Sequence, residues 1–369
     1  MIYLDYAAST PISNSVLEIM KPWFLDYYAN PSSSHKMGIK AQDMIEGVRV
    51  SISDIVGCYP SEVVFTSGAT ESNNLAIKGT ALEFSHKGKH IITSKIEHKC
   101  ILNICHYLES IGFEVTYLDP NRNGIIEASE VAKHIRTDTT LVTIQHVNNE
   151  LGTIMPIRAI GALCVDQGVR FHTDAAQSFG KIDLDLDEDN LDLISISAHK
   201  IYGPKGIGAL IIRDAKSTNI TPVIHGAGQE LGLRGGTLAS PLIAGFGACL
   251  ENLPDSRDTF RLTELKQLFI NRLRLKIPFT LNGELDQSIS SIVNITLREA
   301  RKGLLIDSGT LMISNGSACA SRSIEISHVH KALGLSYDEG LRSCRISFGL
   351  QTTSDHVIKA VDYITELSA

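Results

Sequence analysis

The chain has 369 residues, 43% of them hydrophobic and 20% charged, a globular composition that excludes disordered, collagen-like and low-complexity classes. Thirty-four basic against 41 acidic residues leave a net charge of −7, so no overall electrostatic footprint exists for nucleic acid or an anionic membrane surface. The length predicts about two domains and a core large enough to stand without a disulfide or metal staple. In chain order, Glu62-Val-Val-Phe-Thr66 predicts a strand and Glu71 to Phe84 a helix. Lys89 to Ser94 predicts a strand, Lys99 to Ile111 a helix, and Phe113 to Leu118 a strand. Thr140 to Gln145 is the next strand, followed by a helix from about Ile157 to Gln167. Val169 to Thr173, Leu193 to Ser197 and Ala209 to Arg213 complete the strands. This alternation predicts βα units, a mostly parallel sheet and an α/β fold.

A composition shift at 251–258 precedes a long amphipathic helix predicted from about Thr259 to Lys276. The expected division is a large unit over 15–255 and a smaller α+β unit formed by 1–14 with 256–369. Seven cysteines at 58, 100, 105, 164, 249, 319 and 344 include no C-x-x-C, which excludes a zinc ribbon or thioredoxin motif. Six of them read as core or helix-face residues. No basic-then-apolar leader opens the chain and no run of 18 apolar residues occurs. The expectation is a cytoplasmic protein with reduced thiols and no membrane span. His328 and His330 stand two apart, a spacing that does not share a helix face, so no metal site is expected there.

Parallel sheets bind ligands outside the carboxyl ends of their strands. The residues at those ends are Thr66-Ser-Gly-Ala-Thr-Glu-Ser72, Lys95-Ile-Glu-His98, His146-Val-Asn-Asn-Glu150, Asp174-Ala-Ala-Gln177 and Ala198-His-Lys200. Ser67-Gly-Ala-Thr70, between a strand and a helix, offers backbone amides to a phosphate. Its alternative is a glycine turn with Thr70 as the helix N-cap. Asp174 either caps the next helix or serves a ligand, and Lys200 is either a solvated strand-end lysine or a reactive amine. Together, a lysine for a Schiff base, an acid for a pyridinium nitrogen and a phosphate cradle are what pyridoxal 5'-phosphate needs. His98 could then lie flat on the ring.

With Tyr3-Leu-Asp-Tyr-Ala-Ala-Ser-Thr-Pro11, Asn30-Pro-Ser-Ser-Ser34, Arg234-Gly-Gly-Thr237 and Asn315-Gly-Ser-Ala-Cys-Ala-Ser321, these motifs resemble the NifS/IscS-type cysteine desulfurases of the class V aminotransferase superfamily. The similarity runs to about Leu350. It implies a PLP-dependent transferase of fold type I, with a mixed, mostly parallel sheet flanked by helices plus a smaller α+β domain. It also implies conversion of L-cysteine to L-alanine. Lys200 would carry the cofactor as a Schiff base, His98 would stack on the ring and move protons, and Asp174 would pair with the ring nitrogen. Gln177 and Asn149 would contact the phenolic oxygen. Ala69, Thr70, Ser197 and His199 would hold the phosphate, and Thr237 would reach the phosphate of a second subunit in a homodimer. Arg345 would grip the substrate carboxylate; without the resemblance it reads as a surface salt bridge.

Cys319 stands among Asn315, Gly316, Ser317, Ala318, Ala320 and Ser321, small residues that predict a mobile loop, about 314–327, rather than a packed core. The resemblance makes its thiol the nucleophile that takes the persulfide. Lys205, in Gly-Pro-Lys-Gly, is the rival Schiff-base lysine. Ala198, Ala320 and Arg322 depart from the usual family residues. The chain also stops soon after its final helix, where the housekeeping desulfurases carry a longer tail. Iron–sulfur cluster assembly, tRNA thiolation and DNA phosphorothioation all stand as sulfur destinations, through an acceptor or scaffold protein. The competing readings are a selenocysteine lyase or aminotransferase, which would not need Cys319, and a non-catalytic scaffold dimer.

Overall fold

A computed structural model of the chain describes residues 1–299, 309–314 and 326–368. A short strand, β1 (Ile2–Tyr3), opens the chain. Seven strands then build one sheet: β2 (Val63–Thr66), β3 (His90–Ser94), β4 (Glu114–Leu118), β5 (Thr139–Thr143), β6 (Arg170–Asp174), β7 (Leu193–Ser197) and β8 (Gly208–Ile212). Their order is β2-β8-β7-β6-β5-β3-β4. Every pairing is parallel except those of β8, which runs antiparallel to β2 and β7. The sheet is therefore mixed and mostly parallel, as the alternation predicts.

Strands β3, β5, β7 and β8 are buried along their whole length, because helices cover both faces of the sheet. Successive side chains take opposite faces. Phe65, Ile92, Val142, Phe171 and Ile194 pack on one face with Ile45 and Ile52 of helix Lys36–Val56 and with Phe246 of helix Ser240–Leu250. Val64, Ile91, Leu141, Leu193 and Leu210 pack on the other with Leu75 and Ile77 of helix Ala69–Glu83 and with Ile101 and Leu108 of helix Lys99–Ser110. Two parallel neighbours, β4 and β5, flank β3 on opposite sides. The strand order therefore reverses at β3 and opens a crevice there.

The last third adds β9 (Phe279–Asn282), β10 (Ile292–Leu297), β11 (Leu311–Met312) and β12 (Ser343–Ser347). The antiparallel sheet β12-β10-β9 has its own apolar cluster, with Phe269 of helix Ser256–Arg274 and Val361 of helix Ser354–Ser368. The N-terminus joins this unit: β1 pairs in parallel with β11, and Ser347 N–H donates to Leu4 O at 2.8 Å.

Element ends differ from the sequence expectation for identifiable reasons. The helix expected at Thr259 begins at Ser256 because Asp255 and Asp258 form a capping box. Strand β5 stops at Thr143, short of Gln145, whose N–H donates to the Glu97 carboxylate. The helix after β2 begins at Ala69, two residues early. Its N-cap is Gly68, at φ 140°, so Thr70 is not the cap.

Candidate active site

The carboxyl ends of five strands converge on a cavity of about 470 Å³. Its walls come from Ser67 to Glu71 (after β2), His98 to Cys100 (after β3), Gln145, Val147, Asn149 and Glu150 (after β5), Asp174, Ala176 and Gln177 (at the end of β6), and Ser197, His199, Lys200, Lys205 and Gly206 (at the end of β7), with Ala7, Ala8, His328 and Arg345. Among them are Ala69, Thr70, His98, Asn149, Asp174, Gln177, Ser197, His199, Lys200 and Arg345, which the sequence places in a site. Lys205 lines the same cavity. Thr237 does not: it is exposed, three residues before helix Ser240–Leu250. Cys319 lies outside the described residues, with the stretch 315–325.

At one end, Gly68 holds a backbone conformation that an L side chain rarely adopts, and a Cβ there would meet nothing nearer than Ser197 Oγ at 3.8 Å. Bare backbone therefore faces the cavity at the N-terminus of a 15-residue helix, where amides and dipole favour an anion. His199 lines the same cavity. Burial, with the charges of Lys200, Lys205 and Lys181, pulls its imidazole down to about 4, so the ring is neutral.

Asp174 ends β6 and precedes a turn, so it caps no helix. Its Oδ1 accepts from Ala176 N at 2.9 Å and its Oδ2 from Asn73 Nδ2 at 2.8 Å. Lys200 Nζ donates to Ala7 O at 2.6 Å and Ala8 O at 2.8 Å, which draws the N-terminal segment over the cavity. Gln177 Nε2 donates to Ala7 O at 2.8 Å, while its Oε1 is buried without a donor among the described residues.

Arg345, on β12, reaches the cavity from the smaller sheet. It donates through one terminal nitrogen to Asn149 O at 2.8 Å and through the other to Asp5 Oδ1 at 2.6 Å. Its Nε is buried with no partner among the described residues. It is therefore an interior cation rather than a surface one.

Four polar residues here have no role in the sequence expectation. Cys100, expected in the core or on a helix face, lines the cavity with its Sγ 3.0 Å from His98 Nδ1. Asn73 bridges Asp174 and Cys100. Glu150 lines the cavity; burial pushes its carboxyl up to about 7 against the pull of Ser327 and Arg345. Glu97, wholly buried, is pushed up to about 8 by burial, although Gln145 N–H and Ser94 Oγ–H donate to it. Glu97 and Glu150 lie inside the strand-end segments quoted above and Asn73 directly follows one, and a polar residue just past an apolar strand is the signal that pointed to their neighbours.

The donor set fits pyridoxal phosphate. It has an anion cradle at 67–70, a carboxylate for a ring nitrogen, an amine between them and an orphaned buried acceptor at Gln177.

Comparison with known proteins gives the same direction. The Aminotransferase class-V family model matches residues 2–359. Cysteine desulfurase IscS of Rickettsia typhi (strain ATCC VR-144 / Wilmington) is 44% identical over 368 residues, covering 98% of this chain and 90% of its own. A solved structure described as SspA in complex with cysteine is 47% identical, with a TM-score of 0.86 over 94% of this chain and 99% of that one. A NifS-like protein is 32% identical, with a TM-score of 0.91 over 99% and 98% of the two chains.

Proposed function

The chain belongs to the class-V aminotransferase family, which depends on pyridoxal phosphate, and from that premise we propose that it is a cysteine desulfurase converting L-cysteine to L-alanine. The observation that carries this reading is the convergence of the Lys200 amine, the Asp174 carboxylate and the helix N-terminus at 67–70 on one cavity that Arg345 enters from the smaller sheet.

Bound there, the cofactor supplies an electron sink for breaking the carbon–sulfur bond of an amino acid. Ser67 to Thr70 with Ser197 and His199 hold its phosphate, Asp174 its ring nitrogen, and Gln177 and Asn149 its phenolic oxygen. Lys200 Nζ anchors it, and Lys200 then moves the proton at the substrate α-carbon. His98 provides the second proton-carrying nitrogen. Each terminal nitrogen of Arg345 spends one hydrogen on Asn149 O or Asp5, which orients the guanidinium and leaves further N–H groups, Nε–H among them, for the substrate carboxylate. The thiolate of Cys319 takes the substrate sulfur as a persulfide, alanine leaves, and the sulfur passes to an acceptor protein. Chain connectivity supports that assignment. Ser314 is bridged to Arg345, and Cys319 follows only five residues later, a reach of at most about 18 Å.

A second copy of the chain completes the site in this reading. Phe24, Leu25, Tyr28 and Leu231 are large apolar side chains that a single chain leaves exposed, and a homodimer would cover them. Thr237, exposed beside Gly236, would reach the phosphate end of the second copy's cavity. Residues 15–255 form the cofactor-binding unit, and 1–14 with 256–369 the smaller one. The setting is cytoplasmic; among the described residues no helix is long and apolar enough to cross a membrane.

The test is an absorbance spectrum before and after L-cysteine, with sulfide and alanine quantified under reductant. Equal sulfide and alanine from a protein with a visible cofactor band is the expected result. Cys319→Ser should keep the band and lose sulfide release, and Lys200→Ala should lose the covalently held band. Full sulfide release by Cys319→Ser would instead favour a class-V lyase that needs no thiol. Chromatography with light scattering should give twice the 40.2 kDa chain mass.

A further inference from the structure

His98 is the N-cap of helix Lys99–Ser110, and it caps with its ring: Nδ1 accepts the backbone N–H of Cys100 at 3.2 Å. A nitrogen that accepts carries no proton, so a neutral His98 bears its proton on Nε2. The Cys100 thiol adds to the same constraint. Its Sγ lies 3.0 Å from Nδ1 and receives the Asn73 Nδ2 amide at 3.3 Å. With the sulfur accepting from Asn73, the thiol proton is free for Nδ1. The Thr70 hydroxyl also borders the sulfur. The other hydrogen of the Asn73 amide goes to Asp174 Oδ2 at 2.8 Å. Turning that amide over would set its carbonyl against a carboxylate, so its orientation is fixed by charge. Its own Oδ1 is buried without a partner among the described residues.

We propose that Asn73 and Cys100 are positioning residues that lock the His98 ring, tie it to the Asp174 carboxylate and leave Nε2–H as the nitrogen offered to the cavity. The inference deepens the reading above and rests on His98 belonging to that site. The charged and titratable groups that act on the ring are Asp174 at the end of β6, Lys200 after β7, Lys99 on its own helix and His328. Enclosure by the protein lowers its proton affinity most, with Lys200 and Lys99 adding to the fall and Asp174 opposing. An imidazolium at this position would also lose the cap and face the positive end of the helix dipole. The thiol itself stays protonated, since burial pushes it up to about 12. Cys100 therefore acts as a hydrogen-bond donor and not as a second nucleophile.

The experiment uses holoenzyme labelled with 15N-histidine, the His98 signals being those lost in His98→Gln. The expected spectrum is that of a neutral ring with its proton on Nε2. Cys100→Ala and Asn73→Ala should each raise the His98 titration midpoint by about half a pH unit, the first because the neutral ring loses the thiol donor to Nδ1, the second because the thiol loses the amide that orients it. Cys100→Ser, which keeps a donor, should restore it. An Nδ1–H ring in the parent protein, or a midpoint unmoved in both alanine variants, overturns the assignment. Should the alanine variants not fold, the parent tautomer and the Cys100→Ser midpoint still decide it. Correct tautomers in a protein that releases no sulfide from cysteine would overturn the proposed activity and leave this inference standing.

Discussion

Arg345 illustrates how much of a binding group is settled before any substrate arrives. Asp5 and the Asn149 carbonyl hold the guanidinium in place, and its other N–H groups, Nε–H included, stay available for a carboxylate. Arg345→Lys keeps a charge but loses the planar fork. It should raise KM for L-cysteine and lower kcat/KM by roughly 100-fold, the lower part of the 2–5 kcal/mol range for a buried charge pair; steady-state kinetics check it. Glu97 gives a second prediction. Its carboxyl, pushed up to about 8 by burial, binds a proton in the fold that the unfolded chain, near 4.5, has released. Stability from this group is complete below about 4.5 and is lost as pH rises through 8, at about 1.4 kcal/mol per pH unit. Glu97→Gln should therefore be more stable than the parent above pH 8 in urea titrations, and no less active. Asp174, Lys200 and His98 were legible in the sequence because each lies at, or within four residues of, the carboxyl end of a strand. Cys100 was not. Periodicity assigns a residue to a helix face, but it cannot show that the cap residue's ring folds back over the first turn.

At the scale of elements, the phosphate end depends on a close approach between β8 and the turn after β2. A Cβ on Gly208 would stand 2.4 Å from Ile196 O and 2.7 Å from Gly68 Cα. Only backbone fits there, so the antiparallel insertion of β8 presses the Gly68 turn into its anion-binding shape. Gly208→Ala should cost about 1–3 kcal/mol of stability through overpacking and weaken cofactor retention. Thermal unfolding and equilibrium dialysis would measure the two effects. The strands of the large sheet were readable because burial on both faces demands continuous apolar runs, and helix Ile157–Gln167 and β7 match the expected ends. The smaller sheet was legible only as a class. Its strands alternate with long connections, and Arg345 sits on β12 for a reason no local pattern carries.

The whole molecule encloses titratable groups of both signs, and together they shape its pH response. Burial pulls His146, His172 and His330, all away from the cavity, down to about 4. The unfolded chain takes up their protons below about 6.5, so stability falls as pH drops from 6.5 through 4. Glu97 and Glu150 act in the opposite direction as pH rises from 4.5 to about 8 and 7. These five groups place their own optimum near pH 6.5, while Lys181 and Lys266, pulled by burial to about 7 and 8, restore stability as pH rises above those values. Urea midpoints between pH 4 and 9 should therefore rise to about 6.5 and then level off rather than fall steadily. The bond from Arg345 to Asp5 spans 340 positions of sequence, and those from Lys200 to Ala7 and Ala8 span 193 and 192. On the ribosome the first residues to emerge must wait for nearly the last before the cavity can close around them. The central sheet can be complete by residue 212, with its lysine in place, long before the guanidinium that completes the site has been translated. Loop-closure entropy makes that last long-range pairing the slow one, so a ribosome stalled before residue 343 leaves a folded scaffold with an unfinished mouth.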